Sequence, residues 1–400
     1  MKNWDVKKLG VVCDFFNGQA HEKCIDENGS FKLVNSKFVS SNGRNYKKTN
    51  NALSPLFIGD IVMVMSDVPD GKTLAKCFVI DRNDTYTLNQ RICVIRSSNF
   101  DTKFLYYQLN RNKYLLSFDN GENQTNLRKD DILNCNLLIP SIPEQQRIVA
   151  ILDEAFDAIT KAKANAEQNL KNVRGLFESY LQNVFENNGE GWEGNTLGSV
   201  CDLKPQKKEA RDKLKETDLV TFLPMEDLKV LNKEIIGVKE RQLKDVGGSY
   251  TYFANDDILL AKVTPCFENG KIGIASNLIN GVGFGSSEYI VFRSKGNVVP
   301  FYLYYFLSRN QIREEGKKLM TGAVGLKRVS KNWIENYIIS YPKSLNEQRS
   351  IVQKLDALSA QTKKLEAIYQ KKIDDLGELK KSLLQKAFNG ELKTTELVAV

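Results

Sequence analysis

Two long stretches of the chain carry apolar residues at alternating steps of three and four, with polar and charged side chains between them. In the first stretch the apolar positions are 152, 156, 159, 166, 170, 173, 177, 180 and 184. In the second they are 351, 355, 358, 365, 369, 376, 379 and 383. A stripe this narrow, kept over roughly forty residues, is typical of a coiled-coil seam rather than the broad face of a globular helix. The pattern predicts two long helices of about 60 Å each, at ~1.5 Å per residue.

Polar residues interrupt the stripe at Lys163 in the first stretch and at Thr362 and Lys372 in the second. An ordinary helical hairpin that packs two domains together is the alternative interpretation. We expect the seam to consist of Leu152, Phe156, Ile159, Leu170, Val173, Phe177, Leu355, Leu358, Leu365, Tyr369, Leu376 and Leu379.

Signals of a helix N-terminus precede both stretches. Pro143 and Glu144 stand before the first, and Pro342, Asn346 and Glu347 stand before the second. Proline is tolerated in a first helical turn, asparagine is a capping residue, and an early glutamate suits the helix dipole. We expect helices over 144–188 and 347–392, followed by a tail over 393–400.

The remaining blocks, 1–143 and 189–346, have a mixed and mostly β pattern. Each block also contains an aromatic segment, 104–109 or 301–307, whose i, i+3, i+4 spacing favours a packed core helix over a platform for stacking bases. Short strand-like runs bounded by Gly, Asp and Asn lie at 61–65, 77–80, 91–95, 258–262, 272–275 and 289–292.

Two parts of the chain share the same sequence pattern. Ten residues from Glu144 to Asp153 match Glu347 to Asp356 without a gap. Near the start of each block the same spaced string occurs, as Trp4, Leu9, Gly10, Cys13 and Asp14 and again as Trp192, Leu197, Gly198, Cys201 and Asp202. A fixed-spacing repeat of rare residues indicates an internal duplication, with each copy a β-rich domain followed by a long helix.

Composition and charge narrow the class of protein. The net charge is +8, and block 1–143 has 19 basic and 15 acidic side chains, while block 189–346 has 23 and 19. A basic face on each block would suit phosphate contacts, although a solvated mixed surface is the simpler explanation. The seven cysteines form no CxxC pair, so neither a disulfide framework nor a metal site is expected. With no long apolar run and no signal-peptide core, we expect a soluble, cytoplasmic protein without a membrane partner.

Two divergent domains, each followed by Glu-Gln-(x)-Arg-Ile-Val or its close variant and a long helix, resemble the specificity subunit of Type I restriction–modification systems. The resemblance covers essentially the whole chain, and Glu144–Asp153, Glu347–Asp356 and the segment ending at Leu392 are its most specific parts. It implies an α+β fold with two β-rich target recognition domains, separated by two long helices that form an antiparallel coiled coil with pseudo-two-fold symmetry.

The same resemblance implies a function and a set of partners. Each recognition domain would read one half of a split site in double-stranded DNA, and the helices would act as spacers that dock modification subunits, two in number, and restriction subunits. Methyl transfer from S-adenosylmethionine and ATP-driven cleavage would reside in those partners. No cofactor and no catalytic residue are therefore expected in this chain.

Candidate DNA contacts lie in glycine-rich and basic loops. The segment 260–271 resembles a recurrent recognition-domain loop, and the first block departs from it at 63–72, so the two halves should read different sequences. For any lysine, a phosphate contact is favoured over a base contact. The candidates are Lys72, Arg128, Lys129, Lys262, Thr264, Lys271, Lys327 and Arg328.

Enzymatic alternatives rest on thin patterns. The single histidine, His21, lies in a Gly/Asn-rich stretch and is expected to be a solvated loop residue. The run from Ser66 to Thr73 resembles a phosphate-binding loop but lacks its first glycine and precedes a predicted strand. The acidic pairs at 130–131 and 256–257 are expected to cap a helix and solvate a strand edge. A fused DNA-modifying or cleaving enzyme and a structural coiled-coil adaptor remain the alternatives from other classes.

Overall fold

The computed structural model describes residues 4–69, 71–186, 189–235, 239–323 and 325–392. The chain divides into two compact units. Residues up to Ala166 together with those from Lys372 onward form the first unit, and Glu167–Lys371 form the second. Within the described ranges, no helix combines the length and the apolarity that a membrane crossing requires.

The first unit is built on a four-stranded antiparallel sheet. Its strands are β1 (Asp5–Lys8), β2 (Asp14–Asn17), β3 (Phe31–Val34), β4 (Lys47–Thr49), β5 (Ile61–Val64), β6 (Ser66–Asp67), β7 (Cys77–Val79), β8 (Tyr86–Leu88), β9 (Ile92–Arg96), β10 (Thr125–Asn126) and β11 (Asn136–Ile139). Its helices are α1 (Leu9–Val12), α2 (Ser36–Ser40), α3 (Thr102–Leu109), α4 (Lys113–Leu116), α5 (Lys129–Leu133) and the first part of α6 (Ile142–Glu186). The strands form sheets β2-β9-β5-β7 and β4-β3-β8 and the pairs β1-β11 and β6-β10.

The second unit repeats this plan. Its strands are β12 (Trp192–Thr196), β13 (Cys201–Asp202), β14 (Leu219–Leu223), β15 (Lys239–Gln242), β16 (Thr251–Ala254), β17 (Ile258–Ala261), β18 (Ile272–Ile274), β19 (Val282–Gly285), β20 (Tyr289–Ser294) and β21 (Ile338–Pro342). Its helices are α7 (Leu197–Val200), α8 (Lys208–Lys213), α9 (Leu243–Val246), α10 (Pro300–Leu307), α11 (Asn310–Lys318), α12 (Lys331–Glu335) and the first part of α13 (Leu345–Phe388). The sheets are β13-β20-β17-β18, β15-β14-β19-β16 and the pair β12-β21.

The central strands are apolar throughout because both of their faces are buried. In β5, Ile61 and Met63 face a core that includes the start of α6, whereas Val62 and Val64 face a second core beneath the smaller sheet. Strand β17 alternates in the same way, with Leu259 facing the sheet β15-β14-β19-β16 of its own unit. Successive side chains of a strand point to opposite faces, so a strand between two cores needs an unbroken apolar run. The predicted central strands and the aromatic core helices, α3 and α10, are confirmed.

The two long helices pair in opposite directions. In the first unit the beginning of α6 packs against the end of α13, where Lys380 Nζ lies 4.6 Å from the ring centroid of Phe156. In the second unit the end of α6 lies beside the beginning of α13, where Phe185 and Leu355 are buried in the same core. The predicted antiparallel helix pair is confirmed. The cap of α13 differs from expectation, because the helix begins before Asn346 and the Ser344 hydroxyl accepts the Glu347 N–H at 3.4 Å.

Candidate nucleic-acid interface

In the first unit, two loops that are distant in sequence form one hydrogen-bonded pair. Strand β6, which follows the central strand β5, pairs with β10, and Thr125 lies opposite Asp67. The Leu127 N–H donates to the Met65 carbonyl at 2.7 Å. This pairing places the loop that carries Lys72 beside the segment that leads to Arg128 and Lys129. We call these residues, 65–76 and 120–129, the first loop pair.

The second unit builds the same arrangement from equivalent segments. The Thr264 N–H donates to the Lys327 carbonyl at 2.9 Å, and the Val329 N–H donates to the Lys262 carbonyl at 2.9 Å. A bridge also joins Val263 to Arg328. We call residues 262–271 and 320–329 the second loop pair. The internal duplication thus extends to the surface that carries the candidate contacts.

The candidate side chains of the first loop pair are exposed. Lys72, Arg128 and Lys129 all face solvent. Arg128 also lines a cleft of about 390 Å³. Amide groups and a guanidinium can make bidentate hydrogen bonds to adenine and guanine edges, so this lining is suited to reading bases. The polar residues that line the cleft are Asn120, Asn123, Gln124, Thr125, Asn126, Arg128 and Asp131.

Most candidates of the second loop pair are bound within the protein. Arg328 forms a two-pronged contact with Glu288, with Nη2–Oε1 at 2.7 Å and Nε–Oε2 at 2.9 Å, and this hydrogen bonding lowers the pKa of Glu288. Lys271 Nζ donates to the Met225 carbonyl at 2.7 Å, and Lys262 Nζ to the Ser287 carbonyl at 2.9 Å.

Thr264 donates its hydroxyl proton to Glu268 at 2.8 Å. Lys327 is exposed, and no described residue pairs with its ammonium group. The second loop pair therefore presents fewer free, exposed cationic side chains than its sequence suggests.

A buried ion pair stands at the base of the central sheet in both units. Arg96 contacts Asp60 at 2.5 and 2.8 Å, and Arg293 contacts Asp257 at 2.7 and 2.8 Å. Asp257 is only 1% exposed. The expectation that the 256–257 pair solvates a strand edge was therefore wrong for Asp257, because its carboxylate is buried and satisfied by a guanidinium from β20. Asp131, by contrast, caps α5 by accepting the Arg128 N–H at 2.7 Å, as expected.

A buried glutamine attaches each β-rich domain to its long helix. The Gln145 side chain accepts the Asp101 N–H at 2.8 Å and donates to the carbonyls of Pro140 at 2.9 Å and Asn99 at 3.3 Å. Gln348 repeats the pattern, accepting the Val299 N–H at 2.7 Å and donating to two carbonyls at 2.8 and 2.9 Å. Both glutamines are fully buried. The ungapped repetition of this motif is visible in the sequence, whereas its role depends on backbone groups that lie more than 40 residues away along the chain.

A tyrosine–aspartate contact strengthens each attachment two turns further along the helix. Tyr107 donates to Asp153 at 2.5 Å, and Tyr305 donates to Asp356 at 2.5 Å. A lysine also contacts each carboxylate, Lys103 in the first unit and Lys233 in the second. Burial and the bond to Asp153 raise the pKa of Tyr107, so the phenol remains a donor. These contacts fix how each domain sits on its own helix.

The predicted seam residues differ in burial. The buried ones are Leu152, Phe156, Ile159, Leu170, Leu355 and Leu376. The half-buried ones are Val173, Phe177, Leu358, Tyr369 and Leu379. Leu365 is 41% exposed, whereas Thr362, which interrupts the apolar pattern, is buried. The Thr362 hydroxyl donates to the Leu358 carbonyl at 3.0 Å, which lets this polar residue face inward.

Two residues considered for catalysis have structural roles. His21 is fully buried, with its ring nitrogens 2.7 Å from the Gln19 carbonyl and 2.9 Å from Thr87 Oγ1, so the expectation of a solvated loop residue was wrong. Thr87 lies in β8, so the ring contacts that strand. Because both nitrogens have partners, His21 is held as a packing residue.

The loop that resembles a phosphate-binding loop is filled by the protein's own anion. Asp67 accepts the backbone N–H groups of Thr73 at 2.6 Å and Leu74 at 3.1 Å. Burial works in the opposite direction, but these bonds and one from Val68 lower the pKa of Asp67. The amides that would hold a nucleotide phosphate are thus already occupied, and strand β7 follows where a helix would be needed.

Comparison with known proteins gives a family match in both units. A profile described as "Type I restriction modification DNA specificity domain" matches residues 1–170 and again 189–387. The chain is 33% identical over 253 residues to the Type I restriction enzyme EcoAI specificity subunit of Escherichia coli, covering 62% of this chain and 41% of that protein. It is 34% identical over 166 residues to the EcoEI specificity subunit of Escherichia coli, covering 40% and 27%. The matches span less than half the length of these relatives.

A solved structure has the same fold. A chain from work on complex assembly and conformational transition of the type I R-M system superposes with a TM-score of 0.76. It is 19% identical, and the superposition covers 98% of this chain and 99% of that chain. At this identity the likeness concerns the fold alone.

Proposed function

The chain belongs to the Type I restriction–modification DNA specificity family, and we propose that it recognises a split DNA sequence, with each unit reading one half. One observation carries the proposal: the two units present equivalent loop pairs, 65–76 with 120–129 and 262–271 with 320–329, on the same sheet framework. Loops differ in side chains while the framework is repeated, which is the arrangement expected for two readers of different half-sites.

We propose that the exposed candidates of the first loop pair, Lys72, Arg128 and Lys129, contact DNA directly. In the second loop pair, Lys327 is an exposed cation with no ion-pair partner among the described residues, and Lys262, Thr264, Lys271 and Arg328 shape the loops through internal bonds. About half to two-thirds of protein–DNA hydrogen bonds go to the sugar–phosphate backbone of the DNA. The first role to expect of the lysines is therefore to bind phosphates and so position the protein on the duplex.

The proposal also covers chemistry and partners. The chain would hold and position the DNA, while modification subunits, two per complex, transfer methyl groups and restriction subunits cleave. The paired helices are the proposed docking and spacing element, supported by exposed apolar side chains in the second unit such as Leu176 at 63% and Ile368 at 51%. As a DNA-reading subunit, the protein would act in the cytoplasm.

The proposal is tested by producing the chain with the modification subunit encoded beside it and sequencing the methylated DNA. We expect one methylated motif with two short specified parts and an unspecified gap, and no methyl transfer, ATP hydrolysis or DNA cleavage by the purified chain alone. A continuous motif, no methylation, or turnover by the chain alone would contradict the proposal.

A further inference from the structure

A ridge of positive charge lies in the second unit, outside its loop pair. Residues 204–215, which include α8, hold six basic side chains and two acidic ones. We call this segment the basic ridge. Lys207 is half-buried and the other five cations are exposed. The exposed cations are Lys204, Lys208, Arg211, Lys213 and Lys215.

Neighbouring carboxylates do not neutralise the ridge. Glu209 is directed inward, where it accepts from Arg293 at 2.6 Å and from the Tyr252 hydroxyl at 3.2 Å. Asp218 accepts the Lys215 backbone N–H at 2.8 Å, and Asp202 accepts that of Lys204 at 2.9 Å. None of the six cations forms an ion pair with a residue that the structure describes. The charges of the five exposed cations therefore face solvent.

The ridge is held in place by the turn that follows α9. Lys207 Nζ donates to the Gly248 carbonyl, and Arg211 Nη2 donates to the Gly247 carbonyl at 3.2 Å. Burial, together with the charges of Arg211 and Lys204, lowers the pKa of Lys207, which reflects how closely these cations are gathered. Because two of the side chains are anchored, less rotamer freedom is given up when an anion binds.

The first unit differs at the equivalent position in its fold. Its connection between the equivalent strands, residues 18–30, holds one lysine and three carboxylates. The second unit also differs at its loop pair, where Arg328 is paired with Glu288 and the Lys271 ammonium is held by a backbone carbonyl. Fewer cations of this loop pair are free to bind phosphates, so basic side chains elsewhere on the second unit would add to its grip on DNA.

We propose that the basic ridge binds the sugar–phosphate backbone of double-stranded DNA beside the half-site that the second unit reads. This inference rests on the proposed function. The ridge would supply position and affinity but no sequence information, because lysine contacts to phosphates are the same for every base pair. The acidic surface of a partner protein is the competing ligand, and the experiment separates the two.

The test uses the assembled complex with its modification subunits and duplexes with and without the methylated motif. The ridge variant replaces four exposed lysines by glutamine, and the control replaces four exposed lysines of α13. Thermal unfolding and sizing of both complexes check folding and assembly. The ridge lysines are Lys204, Lys208, Lys213 and Lys215, and the control lysines are Lys354, Lys363, Lys364 and Lys371.

We expect the ridge variant to lower the slope of log affinity against log salt concentration by up to about 3.6 units, at ~0.9 for each of the four phosphates that a lysine no longer neutralises. Affinity should fall for both duplexes while the methylated motif stays the same. Replacing the same four ridge lysines by arginine instead of glutamine should leave the slope at its unaltered value. An unchanged slope, a slope change equal to that of the control, a changed motif, or failure to assemble with the partner would each overturn the inference. If the unaltered complex fails to select a split motif, the proposed function fails instead.

Discussion

Replacing Gln145 with leucine tests whether the buried glutamine attaches the first β-rich domain to its helix. The side chain is fully buried and makes three hydrogen bonds, at 2.8, 2.9 and 3.3 Å. Leucine has a similar size but no hydrogen-bonding group, so the N–H of Asp101 and two carbonyls would be left without this partner. A buried polar group left unsatisfied costs about 1–3 kcal/mol.

The net effect should be smaller than the sum of three such penalties. Leucine also removes the cost of burying an amide, and the weakest bond, to Asn99, is long. We expect the free energy of unfolding of the first unit to fall by about 3 kcal/mol. At about 2–4 °C per kcal/mol for a unit of this size, its melting temperature should fall by roughly 6–12 °C.

Gln146 provides a matched control, because it is the next residue, has the same side chain and is exposed. Gln146→Leu should change the melting temperature little, since surface substitutions are usually within about 0.5 kcal/mol. In the assembled complex, Gln145→Leu should also relax the gap length accepted between half-sites, because the first domain is less firmly held on α6. Equal melting temperatures for the two variants would refute the attachment role, and an unchanged gap would refute its effect on spacing.

Three further predictions concern the helices and loops. Inserting four residues, about one helical turn, within 150–185 should change the accepted gap without changing either half-site, as read by methylome sequencing; an unchanged gap would mean that the helices do not set the spacing. Replacing Lys327 and Arg328 with alanine should lower the slope of log DNA affinity against log salt concentration by about 1 rather than 2, because Glu288 already compensates Arg328. Replacing two exposed lysines of α13 is the control, and equal effects of the two variants would show that the positive charge acts diffusely. A fragment of residues 1–190 should dimerise through its exposed seam, at roughly 1.5–3 kcal/mol per buried side chain, and with the modification subunit should methylate an interrupted palindrome; a soluble monomer that methylates nothing would contradict the duplicated-unit interpretation.

The sequence alone determined the features that arise from local periodicity. The three-and-four spacing predicted both long helices, and they occupy Ile142–Glu186 and Leu345–Phe388. Short β-branched runs predicted the central strands of both units, because a strand buried on two faces must be apolar at every position. The duplication was visible because each copy repeats the same packing problem and therefore the same spaced residues. Burial and backbone geometry leave a pattern along the chain, so these elements could be inferred.

Only the tertiary structure decided which polar side chains are available. Nothing near Arg328 or Lys271 in sequence indicates that Glu288 and the Met225 carbonyl bind them. The burial of His21 likewise depends on Thr87, which lies 66 residues away. Periodicity reports the direction in which a side chain points, whereas a charge is compensated by whatever the fold brings within hydrogen-bonding distance. Those partners come from distant segments, so the sequence could name the loops that meet but not the charges that remain free on them.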